Sequence, residues 1–130
     1  MTSITSNKQD EGIVMNVTIN EDALEGMQSL LGEQFEDTLT FCCDEFERLE
    51  NELRMALTSN NQDAIRHAHS LKSNAAQFGA MSLSNAARAI EQGLINEDTQ
   101  SVQENVACLS AQVAGSKAQL LQWLSSKASL

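Results

Sequence analysis

The sequence has no proline and only 6 glycines in 130 residues. Such a chain has few means of making the many tight turns that a β-sandwich or barrel needs, so long helices are favoured. Positive charge is scarce as well: 8 Lys plus Arg stand against 18 Asp plus Glu, for a formal net charge of −10. Nucleic acid is therefore not expected as a partner, because phosphate contacts need a basic face. An anionic membrane surface is disfavoured for the same reason. No window approaches about 18 consecutive apolar residues, so no transmembrane helix is expected. The opening Met1-Thr2-Ser3-Ile4-Thr5-Ser6-Asn7-Lys8 has no apolar core of a secretory signal. The 3 cysteines are Cys42, Cys43 and Cys108. An odd number with two adjacent is not a disulfide framework, and a cytoplasmic location is expected. What the chain does hold is 42% apolar residues. That suffices for one core, and the length allows one domain.

Residues 1–18 are polar apart from Ile13-Val14-Met15 and read as a flexible arm, with the folded domain at 19–130. Asn20 is a plausible N-cap, followed by Glu21 and Asp22 in a first helical turn. A short helix then runs to Leu31 and stops at Gly32. The strongest pattern follows. Phe35, Leu39, Cys42, Phe46, Leu49, Leu53 and Ala56 alternate spacings of four and three, with acids and Arg opposite. Cys42 falls on this stripe as a small apolar residue, and Cys43 on its flank. Asn61 is expected to cap the next helix, where Ala64, Ala68, Leu71, Ala75 and Phe78 repeat the spacing. Gly79 suits the left-handed position after it. Ser82 is expected to cap a fourth helix carrying Leu83, Ala87, Ile90 and Leu94. Past Asn96-Glu97-Asp98-Thr99, a last stripe runs through Val102, Val106, Leu109, Val113, Leu120 and Leu124, with Trp123 near its end. Short connections make neighbouring helices antiparallel. The expected fold is all-α: an up-down-up-down four-helix bundle with a short N-terminal capping helix.

One segment departs from the acidic composition. Residues 64–90, 27 positions, contain no Asp or Glu, whereas even spreading would put about four there. The same stretch holds Arg66, Lys72, Arg88 and both histidines. A buried Ala-rich helix pair would also lack acids. On a helix the neighbours of His69 three, four and seven residues on are Lys72, Ser73 and Ala76, a cation and two small residues. The core stripe passes through Ala68 and Leu71, so His69 sits on its flank and is expected to be at least partly exposed. A large partner can approach an imidazole with a bare helix surface beside it, and a lysine one turn away helps neutralise an anion placed there. Neutral imidazole is a competent nucleophile near neutral pH. Its N-phosphoryl product carries roughly two negative charges.

The run His69-Ser70-Leu71-Lys72-Ser73-Asn74-Ala75-Ala76-Gln77-Phe78-Gly79-Ala80 resembles the histidine-containing phosphotransfer (HPt) motif H-x-L-K-[GS]-x-x-x-x-x-G. Leu31-Gly32-Glu33-Gln34-Phe35 looks like the family's lead into its long second helix, and Leu83 to Glu91 like the helix beside the phosphohistidine. The resemblance covers roughly residues 20–126. It implies His69 as phosphoacceptor, Lys72 as the charge-compensating lysine and Gly79 as the glycine ending the histidine helix. Ser73 stands where many members have Gly. Some members place Gln where Glu91 falls, to orient the imidazole, and a carboxylate there can also accept a hydrogen bond from the ring.

The resemblance further implies a bacterial two-component phosphorelay intermediate. Such a protein takes a phosphoryl group from the aspartyl phosphate of a receiver domain of a hybrid sensor kinase. It passes the group to the receiver of a response regulator. It is a stoichiometric carrier and not an enzyme with its own ATP site, and the chain has no Gly-rich phosphate loop. No cofactor is expected in the chain, since the receivers supply Mg²⁺, and transfer is in line, so positioning dominates. Leu24, Met27, Leu31, Phe78 and Met81, with Ala76, are candidates for an apolar docking surface. A monomer is expected. The alternative reading is a helical adaptor that binds a receiver or regulator without carrying phosphate.

A metal site is not expected. His67 and His69 point about 200° apart on a helix, so they cannot share one ion. Neither has Glu three residues before it, so the Glu-x-x-His pattern of di-iron bundles is absent. His67, Arg66 and Arg88 read as surface or boundary residues.

Overall fold

A computed structural model describes residues 16–128. Most of the expected flexible arm, residues 1–15, lies outside the described residues. The elements are α1 (Glu21–Leu31), a 3₁₀ turn (Gly32–Gln34), α2 (Phe35–Ala56), α3 (Asn61–Gln77), α4 (Met81–Ile95) and α5 (Thr99–Ala128). Helices α2 to α5 form an antiparallel four-helix bundle in which each packs on its chain neighbours and α2 also packs on α5. No described helix is long and apolar enough to cross a membrane.

The expected stripes face inward. Phe35, Leu39, Cys42, Phe46, Leu49, Leu53 and Ala56 of α2 are all buried. Ala64, Ala68, Leu71 and Ala75 of α3 meet Leu83, Ala87 and Ile90 of α4. Alanines at these positions let the two backbones approach closely. Cys43 is buried too, at 1% exposure, and not on the flank. Cys43 lies near α5, where the Lys117 ammonium acts on its thiol. Burial then pushes the Cys42 thiol up to about 12 and the Cys43 thiol up to about 11.

Helix starts differ from expectation in two places. The cap of α3 is Asn60, whose side chain accepts from the Asp63 N–H at 3.1 Å, and not Asn61. Helix α4 begins at Met81 with Ala80 in the capping position and no side-chain cap. Its free amides are met from elsewhere: the N–H groups of Met81 and Ser82 donate to the Thr18 carbonyl at 3.1 and 3.4 Å. Ser82 is thereby released to donate from its hydroxyl to Gln112 at 2.6 Å and to accept from the Thr18 N–H at 2.9 Å.

Residues 16–18 are consequently not a free arm. The carbonyls of Asn16 and Val17 accept from Gln112 and Gln119 of α5, and Ile19 pairs with Ala80 in an isolated antiparallel bridge. Gly79 makes this docking possible. Its φ is 79°, and a Cβ there would lie 2.5 Å from the Asn20 carbonyl oxygen. The Asn20 N–H donates to the Gly79 carbonyl at 2.7 Å, while its side chain caps α1.

Candidate functional site

The site forms where α3 and α4 face each other. Burial of Ala68, Leu71 and Ala75 fixes the roll of α3 about its axis and turns His69 outward. The imidazole side chain is 59% exposed. The α3–α4 register is pinned beside it by the Ser84 hydroxyl, which donates to the Lys72 carbonyl at 3.0 Å. Glu91, two turns further along α4, then comes level with His69 and Lys72.

Glu91 joins the other two. One carboxylate oxygen lies 2.9 Å from His69 Nδ1, and the other accepts from Lys72 Nζ at 2.7 Å. A carboxylate only accepts hydrogen bonds, so the ring must carry its hydrogen on Nδ1. In the neutral ring the lone pair is then on Nε2. That is the form in which an imidazole acts as a nucleophile. The Glu91 side chain is 10% exposed. Burial works against its charge, but the hydrogen bonds from Lys72 and His69 and their charges outweigh it, and the carboxyl is held below its ordinary value. It is therefore an anion at neutral pH, matched by the ammonium of Lys72.

Sequence reasoning placed His69 and Lys72 on one face, and the structure brings them together through Glu91. Lys72 does not stand free: its ammonium donates to the carboxylate, and its side chain is 27% exposed. The acid-free window is acid-free only along the chain, because the acid that ends it folds back onto the histidine. Its position beside the imidazole could be anticipated only from the Gln that some HPt proteins carry there. Ser73 and Ala76 are exposed on the same face of α3 and leave the approach to the ring open. Gly79 lies about 15 Å along the helix from His69 and serves the turn and α1, not the ring.

The apolar surface candidates need correction. Leu24 is 0% exposed and Phe78 3% exposed, so neither is available to a partner. Leu24 is the core anchor of α1, and Phe78 packs at a tilt against Phe35 with ring centroids 6.3 Å apart. Met27, Leu31 and Met81 are half-buried. The sequence reading missed Phe41, which is 64% exposed. Two contacts set α2 against α3: the Cys42 thiol on the Asn74 carbonyl at 3.7 Å, and Glu52 at 3.8 Å from His67. Phe41 and Glu52 are about three turns apart, so both lie on the flank of α2 that borders α3. Phe41 thus borders α3 on the side of His67 and Asn74, whereas His69 lies toward α4 on the other side. Its signal in the sequence was an aromatic residue off the apolar stripe.

Among the described residues, no group of three or more His, Cys, Asp or Glu could hold a metal ion. His67 and His69 diverge as their spacing dictates, and His67 faces Glu52.

Comparison with known proteins agrees with this geometry. No curated protein matches the sequence. Among solved structures, the chain resembles histidine-containing phosphotransfer protein B (HptB) of Pseudomonas aeruginosa PAO1, with a TM-score of 0.75 and 18% identity over 80% of this chain and 91% of that one. It also resembles the histidine-containing phosphotransfer protein ZmHP2 of maize, with a TM-score of 0.63 and 18% identity over 91% of this chain and 98% of that one. At such identities the likeness concerns the fold. The family model described as Hpt domain matches residues 20–125. That span takes in α1 to α4, most of α5 and all three residues of the His69 site, and the chain belongs to the Hpt domain family.

Proposed function

We propose that the protein is a phosphorelay intermediate in which His69 accepts a phosphoryl group from the aspartyl phosphate of one receiver domain and passes it to another. The observation that carries this reading is the ring of His69, its side chain 59% exposed and held at Nδ1 by Glu91 within the segment the family model matches. Nε2 attacks phosphorus in line. The receiver supplies Mg²⁺ and most of the charge stabilisation, while this chain supplies a preset nucleophile and a docking face. Lys72, one turn on, can turn an ammonium hydrogen toward the arriving phosphoryl oxygens while keeping Glu91. The small side chains of Ser73 and Ala76 admit the partner, and Phe41 with the half-buried Met27, Leu31 and Met81 provides apolar contact. The chain acts as a carrier consumed and regenerated in each transfer, as a monomer in the cytoplasm. Candidate partners are the receivers of a hybrid sensor kinase and of a response regulator.

The test is incubation with a phosphorylated receiver and Mg²⁺. The expected product is an acid-labile, base-stable adduct on wild type that is absent from His69→Gln. Equal labelling of both proteins would remove His69 from the mechanism. Binding of a receiver with no transfer to wild type would favour an adaptor.

A further inference from the structure

Glu91 is placed to do more than turn the ring. Each of its oxygens has its own partner, and the group is largely withdrawn from water, which leaves its charge poorly screened. An amide at this position would accept the same hydrogen bond from Nδ1–H but would bring no charge. The difference matters once the ring itself becomes charged.

We infer that Glu91 keeps the proton on Nδ1 of the phosphorylated ring and thereby makes His69 a rapidly discharging phosphoryl donor and not a phosphoryl store. The inference rests on His69 being the phosphoacceptor. In the forward step the Nε2 lone pair forms the N–P bond. The P–O bond of the aspartyl phosphate breaks, and its electron pair goes to the receiver's carboxylate. Nδ1 keeps its hydrogen, so the ring becomes a phosphoimidazolium with one positive charge. Glu91 is the counter-ion of that charge, as a buried carboxylate is for an imidazolium in hydrolases. In the onward step the N–P bond breaks and its electron pair returns to Nε2. With the proton on Nδ1 the leaving group is neutral imidazole. Without it the leaving group would be an imidazolide anion, which departs far less readily. No proton enters or leaves the site in either direction.

The remaining charges near the ring have partners of their own. On α3, Arg66 is paired with Asp63 at 2.9 Å and Lys72 with Glu91. On α4, Arg88 donates to Asn85 at 3.2 Å. On α2, Glu52 faces His67, and Arg48 is paired with Glu45. Among the described residues, Glu91 is the carboxylate that contacts the imidazole.

Wild type, Glu91→Gln and Lys72→Met would be phosphorylated by a phosphorylated receiver, separated from it and followed by ³¹P NMR from about pH 5 to about pH 9. Loss of one charge-assisted contact is worth about a tenfold change in proton affinity. The Glu91→Gln profile is therefore expected to shift about one pH unit lower, and its adduct to last about three- to tenfold longer at neutral pH. Lys72→Met removes a positive charge beside the ring and is expected to move the midpoint in the opposite direction. The ¹⁵N shift of Nδ1 in the wild-type adduct gives a reading that needs no variant: a protonated nitrogen at neutral pH supports the inference, and a bare one overturns it. An unchanged midpoint in folded Glu91→Gln overturns it equally. Wild type that accepts no phosphoryl group would instead overturn the proposed function itself.

Discussion

Replacing Gly79 by alanine is expected to destabilise the protein by about 2–3 kcal/mol, although the residue lies in an exposed-looking turn of the sequence. Three contributions follow from the structure. A φ of 79° places a non-glycine residue in the left-handed region, at roughly 1–2 kcal/mol. The new Cβ would stand 2.5 Å from the Asn20 carbonyl oxygen, a backbone atom that cannot swing aside. Residues 16–20 must therefore retreat. The Asn20-to-Gly79 hydrogen bond at 2.7 Å is then weakened or lost, at about 0.5–1.5 kcal/mol. Against these stands the smaller entropy of the unfolded alanine chain, about 0.4–1 kcal/mol. Urea titration would read the net difference. Thermal unfolding would register about 4 °C lower for each kcal/mol at this chain length. Gly26→Ala is the control, since nothing lies within 4 Å of a Cβ at this position inside α1. It is expected to stabilise by about 0.5–1 kcal/mol through helix propensity. The reasoning is refuted if Gly79→Ala falls within about 0.5 kcal/mol of wild type, or if both substitutions shift stability in the same direction.

Phe78→Ala is expected to cost about 3–5 kcal/mol in urea titration, as loss of a buried ring does. Phe41→Ser should move stability by no more than about 0.5 kcal/mol while raising the KM for a receiver in a transfer assay; unaltered kinetics would take Phe41 out of the docking face. The Glu91 carboxyl is held below 4.5 by its partners in the folded state. Its contribution to stability is therefore complete above the ordinary carboxylate range and is lost as pH falls through the lower folded value. The Tm gap between wild type and Glu91→Gln should then narrow on going from about pH 6 to about pH 3, and a constant gap would contradict the ion pair. With thiols pushed up to about 12 and about 11 by burial, Cys42 and Cys43 should resist a thiol reagent near neutral pH in the native protein. Cys108, which is partly exposed, should react first, and all three should react in denaturant.

Much of this protein was legible along the chain. Every residue of the α2 stripe is buried as its spacing implied, because a helical period alone decides which side chains share a face. The same arithmetic turned His69 away from Ala68 and Leu71 and set Lys72 one turn beyond it. Where local rules failed, the deciding partner was distant in sequence. Ser82 satisfies the usual preference for a helix cap, yet the Thr18 carbonyl takes the amides it would have served. Leu24 and Phe78 look like surface anchors by position, yet both belong to the core cluster, where Phe78 packs against Phe35 of α2. Cys43 is off the stripe by period, yet the fold buries it, with Lys117 of α5 near enough to act on its thiol.

The sequence by itself determined the helices, their inward faces and the exposed imidazole, since each depends on residues within a few positions of one another. The tertiary structure alone decided the chemistry of that imidazole. Its tautomer, its counter-ion and the occupation of Lys72 all depend on Glu91. That carboxylate reaches the ring because Ser84 and the alanine-lined contact of α3 with α4 set the helices in register. Charge at a site is a sum over space, and a stretch free of acids along the chain need not be free of them in the fold.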